Sequence, residues 1–174
     1  MLRNFLKPKS AAAFFIVAAL LFAVCLPTQK VLAITSTNES SQKIFSKSAL
    51  NGFCISYTHS VNKGRVRDFF RVEDDRLKIF KTEFPSYGAG MPELQETPGA
   101  TFKIADDAFL MEYERDVGEK FFLAVGILAR HSIEIDGKEI FLEDFFAPQT
   151  RLEFQVKRIS CAELFFAKIR KRVL

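Results

Sequence analysis

The sequence predicts an all-β protein, an antiparallel β-sandwich or barrel-like domain of about 8 strands. Three observations carry that expectation. From Phe53 onward, short runs of Val, Ile, Phe and Tyr are separated by turn residues. Within the runs the residues alternate: Phe53, Ile55, Tyr57, His59 and Val61 share one side, and Cys54, Ser56, Thr58, Ser60 and Asn62 the other. No glycine-rich phosphate-cradling turn follows any strand, which argues against a nucleotide-binding α/β fold.

The chain opens with a different chemistry. Ala11 to Leu26 is apolar without a charge, and Arg3, Lys7, Lys9 and Lys30 flank it with no acidic residue before Ala33. A positive segment, an apolar stretch and the small-residue sequence Val31-Leu32-Ala33 predict an N-terminal hydrophobic helix over residues 1–33. It serves either as a signal peptide cleaved after Ala33 or as a membrane anchor, so the protein is expected to be exported. Residues 34–50 are polar and rich in Ser and Thr, and read as a linker. Residues 51–174 then form one all-β domain with a basic C-terminal helix, since 174 residues at 48% hydrophobic content suffice for a single core.

Strands are expected at 53–60, 66–73, 76–84, 108–115, 120–127, 129–135, 138–142 and 151–158, with a weaker one at 101–105. Asn62-Lys63-Gly64, Asp74-Asp75, Asp116 to Glu119 and Asp136-Gly137 read as hairpin turns. After the last strand, Ser160 with Glu163 three residues on forms a capping box, and an apolar run ends in Lys168, Arg170, Lys171 and Arg172. That helix either packs Phe165, Phe166, Ile169 and Val173 on the sheet or lies on a membrane or partner surface.

The net charge of +4 comes from the N-terminal segment, which leaves 21 of the 25 basic residues to balance 21 acidic ones. Nucleic-acid binding therefore has no compositional support. Outside the N-terminal segment the cysteines are Cys54 and Cys161, which either stay as buried thiols or pair in an oxidising compartment. Their spacing suits no thiolate metal site, and nothing in the sequence calls for a cofactor.

Polar intruders on apolar strand faces mark the candidate site. A loop from Asn62 to Arg65 predicts His59 opposite Asp68, Tyr57 opposite Phe70 and Ile55 opposite Val72. The turn at Asp74-Asp75 predicts Leu77 opposite Val72, Ile79 opposite Phe70 and Lys81 opposite Asp68. The resulting row, His59, Asp68 and Lys81 with Glu83 beside it, could orient a general base or hold an anionic ligand, or be the sheet's wet end. In the next hairpin Ile133 opposes Ile140 and His131 opposes Leu142, so both histidines lie on apolar faces. The loop "SYGAGMPE", with Gly88 and Gly90, is the third feature, either a tight crossover or the rim of a ligand site.

Taken together, "YTHSV", "SYGAGMP" and "RHSIEIDGKEIFLEDFFAPQTRLEFQV" resemble a bacterial domain-of-unknown-function family, numbered 1850, encoded beside TAXI-type tripartite ATP-independent periplasmic (TRAP) transporters. The resemblance spans roughly Phe53 to Val156 and maps the recurring positions onto Tyr57, His59, Ser60, Asp68, Gly88-Ala89-Gly90, Pro92 and His131. Asp68 stands where the family has glutamate, and Gln149 where it tends to glycine. The resemblance implies an extracytoplasmic accessory to such a transporter, with no established reaction. The expected partners are TRAP transporter subunits, a small organic-acid-like solute, and the membrane through the N-terminal segment. Tyr57, His59, Asp68, Lys81, Gly88, Gly90 and His131 are the ligand-binding candidates. A hydrolase with His59 as base oriented by Asp68 is the competing reading, although Ser60 and Ser132 point away from their neighbouring histidines. A purely structural membrane-complex subunit is the third.

Overall fold

The computed structural model describes residues 8–38, 43–86, 97–105, 108–170 and 172–174. Strand makes up 51% of the described residues and lies in two antiparallel sheets that do not close into a barrel. In chain order the elements are α1 (Pro8–Cys25), β1 (Gln29–Ser36), β2 (Lys43–Ser46), β3 (Phe53–Thr58), β4 (Arg65–Glu73), β5 (Arg76–Phe84), β6 (Thr101–Ala105), β7 (Ala108–Gly118), β8 (Lys120–Ala124), β9 (Ser132–Ile135), β10 (Lys138–Phe141), β11 (Arg151–Ile159) and α2 (Cys161–Ile169). Short 3-10 turns sit at Ser48–Asn51 and Leu142–Asp144. A four-stranded sheet has the order β2-β1-β11-β8, and a seven-stranded one β10-β9-β3-β4-β5-β7-β6. The sandwich was expected; among the described residues it has 11 strands where about 8 were expected.

The added strands lie where the sequence suggested a cleavage site and a linker. Val31, Leu32, Ala33 and Ile34 are buried at 0 to 1% exposure. Leu32 and Ile34 enter the core between the sheets, while Val31 and Ala33 pack under α2 with Phe45, Ile159 and Ala167. A strand covered on both faces is apolar at every position, which is why Val31-Leu32-Ala33 imitates a processing site. β1 is hydrogen-bonded to β11 on one side and β2 on the other, so a cut after Ala33 would divide an internal strand. Residues 34–50 are accordingly no plain linker: Ile34 to Ser36 complete β1, and Ile44 and Phe45 of β2 are buried.

α1 exposes Phe14, Phe15, Ile16, Leu20, Leu21 and Phe22 at 61 to 71%. Among the described residues no helix is long and apolar enough to cross a membrane. Three residues, Leu26 to Thr28, join α1 to β1.

The main core lies between the sheets. Phe53, Phe70, Phe121 and Phe154 form a continuous ring stack with centroids 4.6 to 4.9 Å apart, crossing from one sheet to the other. Such contacts add to area burial and lock the two layers together. The turn expected at Asp116 to Glu119 is instead a crossover: β7 pairs with β5 and β6, whereas β8 joins β11 in the other sheet. Gly118 (φ 97°) takes the sharp bend, a backbone angle that a Cβ would penalise. The turns at Asp74-Asp75 and Asp136-Gly137 have positive φ throughout, as two-residue hairpins require. Gln149 also has a positive φ of 67°, the conformation that glycine adopts without cost.

α2 begins as its capping box predicts, with the Ser160 hydroxyl accepting from the Glu163 amide at 3.0 Å. Its packing differs from the first alternative. Leu164 and Ala167 face the sheet, and Val173 bridges to Phe45, but Phe165, Phe166 and Ile169 stay 59 to 62% exposed. Both remaining cysteines are free thiols: Cys54 is buried on the outer side of the seven-stranded sheet, and Cys161 is exposed on α2. They therefore sit on opposite outer sides of the sandwich and are not two buried thiols.

Candidate functional site

The pairings of β3 with β4 and of β4 with β5 settle which polar residues meet. Ile55, not His59, lies opposite Asp68, and Tyr57 opposite Val66 instead of Phe70. The turn closes earlier than expected, with the His59 amide donating to the Gly64 carbonyl at 2.8 Å and the Lys63 amide to the His59 carbonyl at 3.1 Å. Gly64 cannot be replaced freely, because a Cβ there would come within 2.3 Å of the Pro85 ring. From β4 to β5 the expected pairs Val72 with Leu77 and Phe70 with Ile79 hold. A β-bulge at Phe80 then inserts one residue, so Thr82 opposes Asp68 and Lys81 opposes Phe69.

The bulge exchanges the chemistry of the two faces. Lys81 moves to the outer face, where its ammonium sits 2.8 Å from Glu83 and 3.8 Å above the Phe69 ring. That face is a lattice of ion pairs: Arg67 with Glu83 and Glu134, Arg71 and Lys78 with Glu73 and Glu114, Arg76 with Asp116. The predicted row of His59, Asp68 and Lys81 is therefore not assembled, nor is the His59 and Asp68 pair of the hydrolase reading.

The inner face gains a different constellation. The Thr82 hydroxyl donates to Asp68 Oδ1 at 2.7 Å, and the Tyr113 hydroxyl lies 2.8 Å from the same Thr82 oxygen. One hydroxyl carries one proton, so the chain runs from Tyr113 through Thr82 to the carboxylate. Burial pushes the Asp68 carboxyl above its ordinary range, against the pull of the Thr82 hydrogen bond and the Arg115 charge. Burial, and after it the Asp68 charge, pushes the Tyr57 phenol up strongly; burial also raises that of Tyr113. Val66, Phe84 and Met111, each at most 1% exposed, form the surrounding wall, with Phe102 and Phe109 packed on them.

His131 belongs to this end of the sheet. Its ring centre lies 5.7 Å from that of Tyr57, and its Nδ1 accepts the Gly126 amide at 3.0 Å, leaving the proton on Nε2. Burial first, and the Arg65 charge second, lower its pKa and favour the neutral ring. Arg65 ties the segment down by donating to the Arg130 carbonyl at 2.7 Å, to Glu139 at 2.9 Å and to the Ser132 hydroxyl. His59 flanks the site without joining it. Its Nδ1 accepts from the Val61 amide at 3.3 Å, and the ring borders a cavity of about 470 Å³ with Thr58, Lys63, Leu128 and Ala129.

Of the predicted residues, Tyr57, Asp68 and His131 thus gather at one end of the inner face, His59 stands at its edge, and Lys81 lies on the opposite face. Gly88 and Gly90 lie outside the described residues; the strand leading toward them ends against the His59 turn, where Asn62 Nδ2 donates to the Ser86 carbonyl at 3.1 Å. Thr82 and Tyr113 escaped the sequence reading, Thr82 because the bulge hides its inward position. Tyr113 shares the alternating face of Met111 and was the legible one. Among the described residues no group of three or more His, Cys, Asp or Glu side chains could hold a metal ion.

A family model, Domain of unknown function (DUF1850), matches residues 53–142, just over half of the chain. The chain belongs to the DUF1850 family. The matched segment contains all seven strands of the larger sheet, and with them Tyr57, Asp68, Thr82, Tyr113 and His131. No curated protein and no solved structure matches the chain.

Proposed function

We propose that this DUF1850 protein is exported, tethered to the membrane by its N-terminal helix, and acts as an accessory to a TAXI-type TRAP transporter by binding a small solute. The solute lies at the end of the seven-stranded sheet, among Asp68, Thr82, Tyr113, Tyr57 and His131. The hydrogen-bonded line from Tyr113 through Thr82 to a carboxyl with a raised pKa, set in an apolar wall, is the observation that carries this reading. A few convergent polar groups in an apolar lining are what small-molecule sites use. Export is supported by the positive and apolar N-terminal segment, and the transport link by the motifs that resemble the family.

Solute binding is tested by calorimetric titration of the purified protein with a panel of small organic acids, alongside uptake assays in a host lacking the gene. Tyr113→Phe and Asp68→Asn each weaken the binding of an accepted solute by about tenfold, the scale of one buried hydrogen bond. Unchanged binding and uptake in both variants would remove the site.

A further inference from the structure

A second site lies on the far side of the molecule, where α2 meets β2. A cleft of about 380 Å³ there is lined by Lys43, Arg170 and Arg172, with Phe45 and Phe166 as its apolar walls and Glu163 as the one carboxylate among the described lining residues. The C-terminal residues are fixed against β2: the Phe45 amide donates to the Arg172 carbonyl and the Leu174 amide to the Phe45 carbonyl, both at 2.9 Å. The backbones of Arg172 and β2 are thus held together at one end of the cleft. Beside it α2 carries Phe165, Phe166 and Ile169, each about 60% exposed, on the side away from the sheet.

We propose that this cleft seats the phosphate-bearing headgroups of an anionic bilayer, with Phe165, Phe166 and Ile169 entering the boundary between headgroups and acyl chains. Two observations select a lipid surface over a protein groove. α2 is in contact with α1, whose exposed side chains from Phe14 to Val24 are large and apolar on every side of the helix. A protein groove takes one apolar stripe, whereas a helix apolar all round is solvated by lipid. Among the described lining residues, Lys43 and Arg170 beside Glu163 then supply the positive charge that anionic headgroups complement. The proposal rests on the tether reading only in placing a bilayer beside α1.

The full chain carries its own reporter position. In a Cys25→Ser variant, Cys161 is the exposed thiol on α2, while Cys54 is buried. An environment-sensitive fluorophore on Cys161 is followed as the protein is mixed with vesicles of phosphatidylcholine alone or with added phosphatidylglycerol, with and without nitroxide-bearing lipid. The expected result is a blue shift and nitroxide quenching on phosphatidylglycerol vesicles that weaken with salt. Neutralising Lys43, Arg170 and Arg172 to glutamine raises the half-saturating lipid concentration by about fivefold per charge removed. Phe165→Ser with Phe166→Ser abolishes the quenching. An equal response on neutral vesicles, or one that survives the charge neutralisation, overturns the proposal. A probe that stays in water on every vesicle also overturns it and leaves the face to a protein partner. Failure of the chain to float with phosphatidylcholine vesicles defeats the tether alone, because the probe on phosphatidylglycerol still decides the cleft.

Discussion

The two sheets are built on different rules. The larger one is made mostly of neighbouring strands joined by tight turns, and it keeps one face for the core and one for water. The smaller one gathers β1 and β2 from the front of the chain and β11 from its end, and its central strand β1 is covered on both faces. The first is specified by local chemistry. The second exists only once distant segments meet, and it closes the core that the first leaves open. The DUF1850 match covers the whole of the first and, of the second, takes in β8 but omits β1, β2 and β11.

The sharpest way to break that contrast is to truncate. A chain starting at Pro27 keeps β1 and melts cooperatively, whereas one starting at Ile34 has lost Val31, Leu32 and Ala33 and does not fold. Each large apolar side chain removed costs about 1.5 to 3 kcal/mol, against a total stability of about 5 to 15 kcal/mol. Circular dichroism melts of the two chains decide it, and equal melting temperatures would mean that the small sheet is dispensable.

Phe154→Ala, which removes the small sheet's end of the ring stack, lowers stability by about 3 to 5 kcal/mol in denaturant titrations. Asp68→Asn works in the opposite direction. The folded state raises the Asp68 pKa, so the native protein holds this proton more tightly than the unfolded chain. Stability from this group therefore falls as pH rises from the ordinary aspartate range through the raised folded value. The asparagine variant is expected to melt higher at neutral pH and to lose that part of the pH dependence, while solute binding weakens. A lower melting temperature at neutral pH would contradict the burial of the carboxylate.

Changes on the two surfaces are smaller. Arg67→Ala breaks the pairs with Glu83 and Glu134 on the outer face, yet costs no more than about 1 kcal/mol and less in high salt, since both partners reach water. Gln149→Gly relieves a positive φ and is expected to stabilise by at most about 1 kcal/mol. A loss of stability would show that the Gln149 side chain contributes more than its backbone costs.

What the sequence reveals follows the same division. Alternation gave the faces of β3 and β4, and of β5 as far as Ile79, and Asp136-Gly137 fixed the pairing of Ile133 with Ile140, because these depend on period and turn type. β1 was missed because alternation disappears when both faces are buried, and the remaining apolar run looks like a processing signal. The site was half legible. Tyr57, Asp68 and His131 stood out as polar residues on apolar faces, but the turn after Thr58 closes at a different residue from the one expected. The bulge at Phe80 has no sequence signature of its own, and it decided whether a lysine or a threonine meets the carboxyl.

The connection from α1 to β1 sets a length scale. Three extended residues reach about 10 Å, roughly a single strand-to-strand spacing of stacked sheets. With α1 held in a bilayer, the sandwich would be unable to diffuse outward in search of a solute. It would work as a fixed collar on the lipid surface, and whatever it binds would be delivered within a molecule's width of that surface.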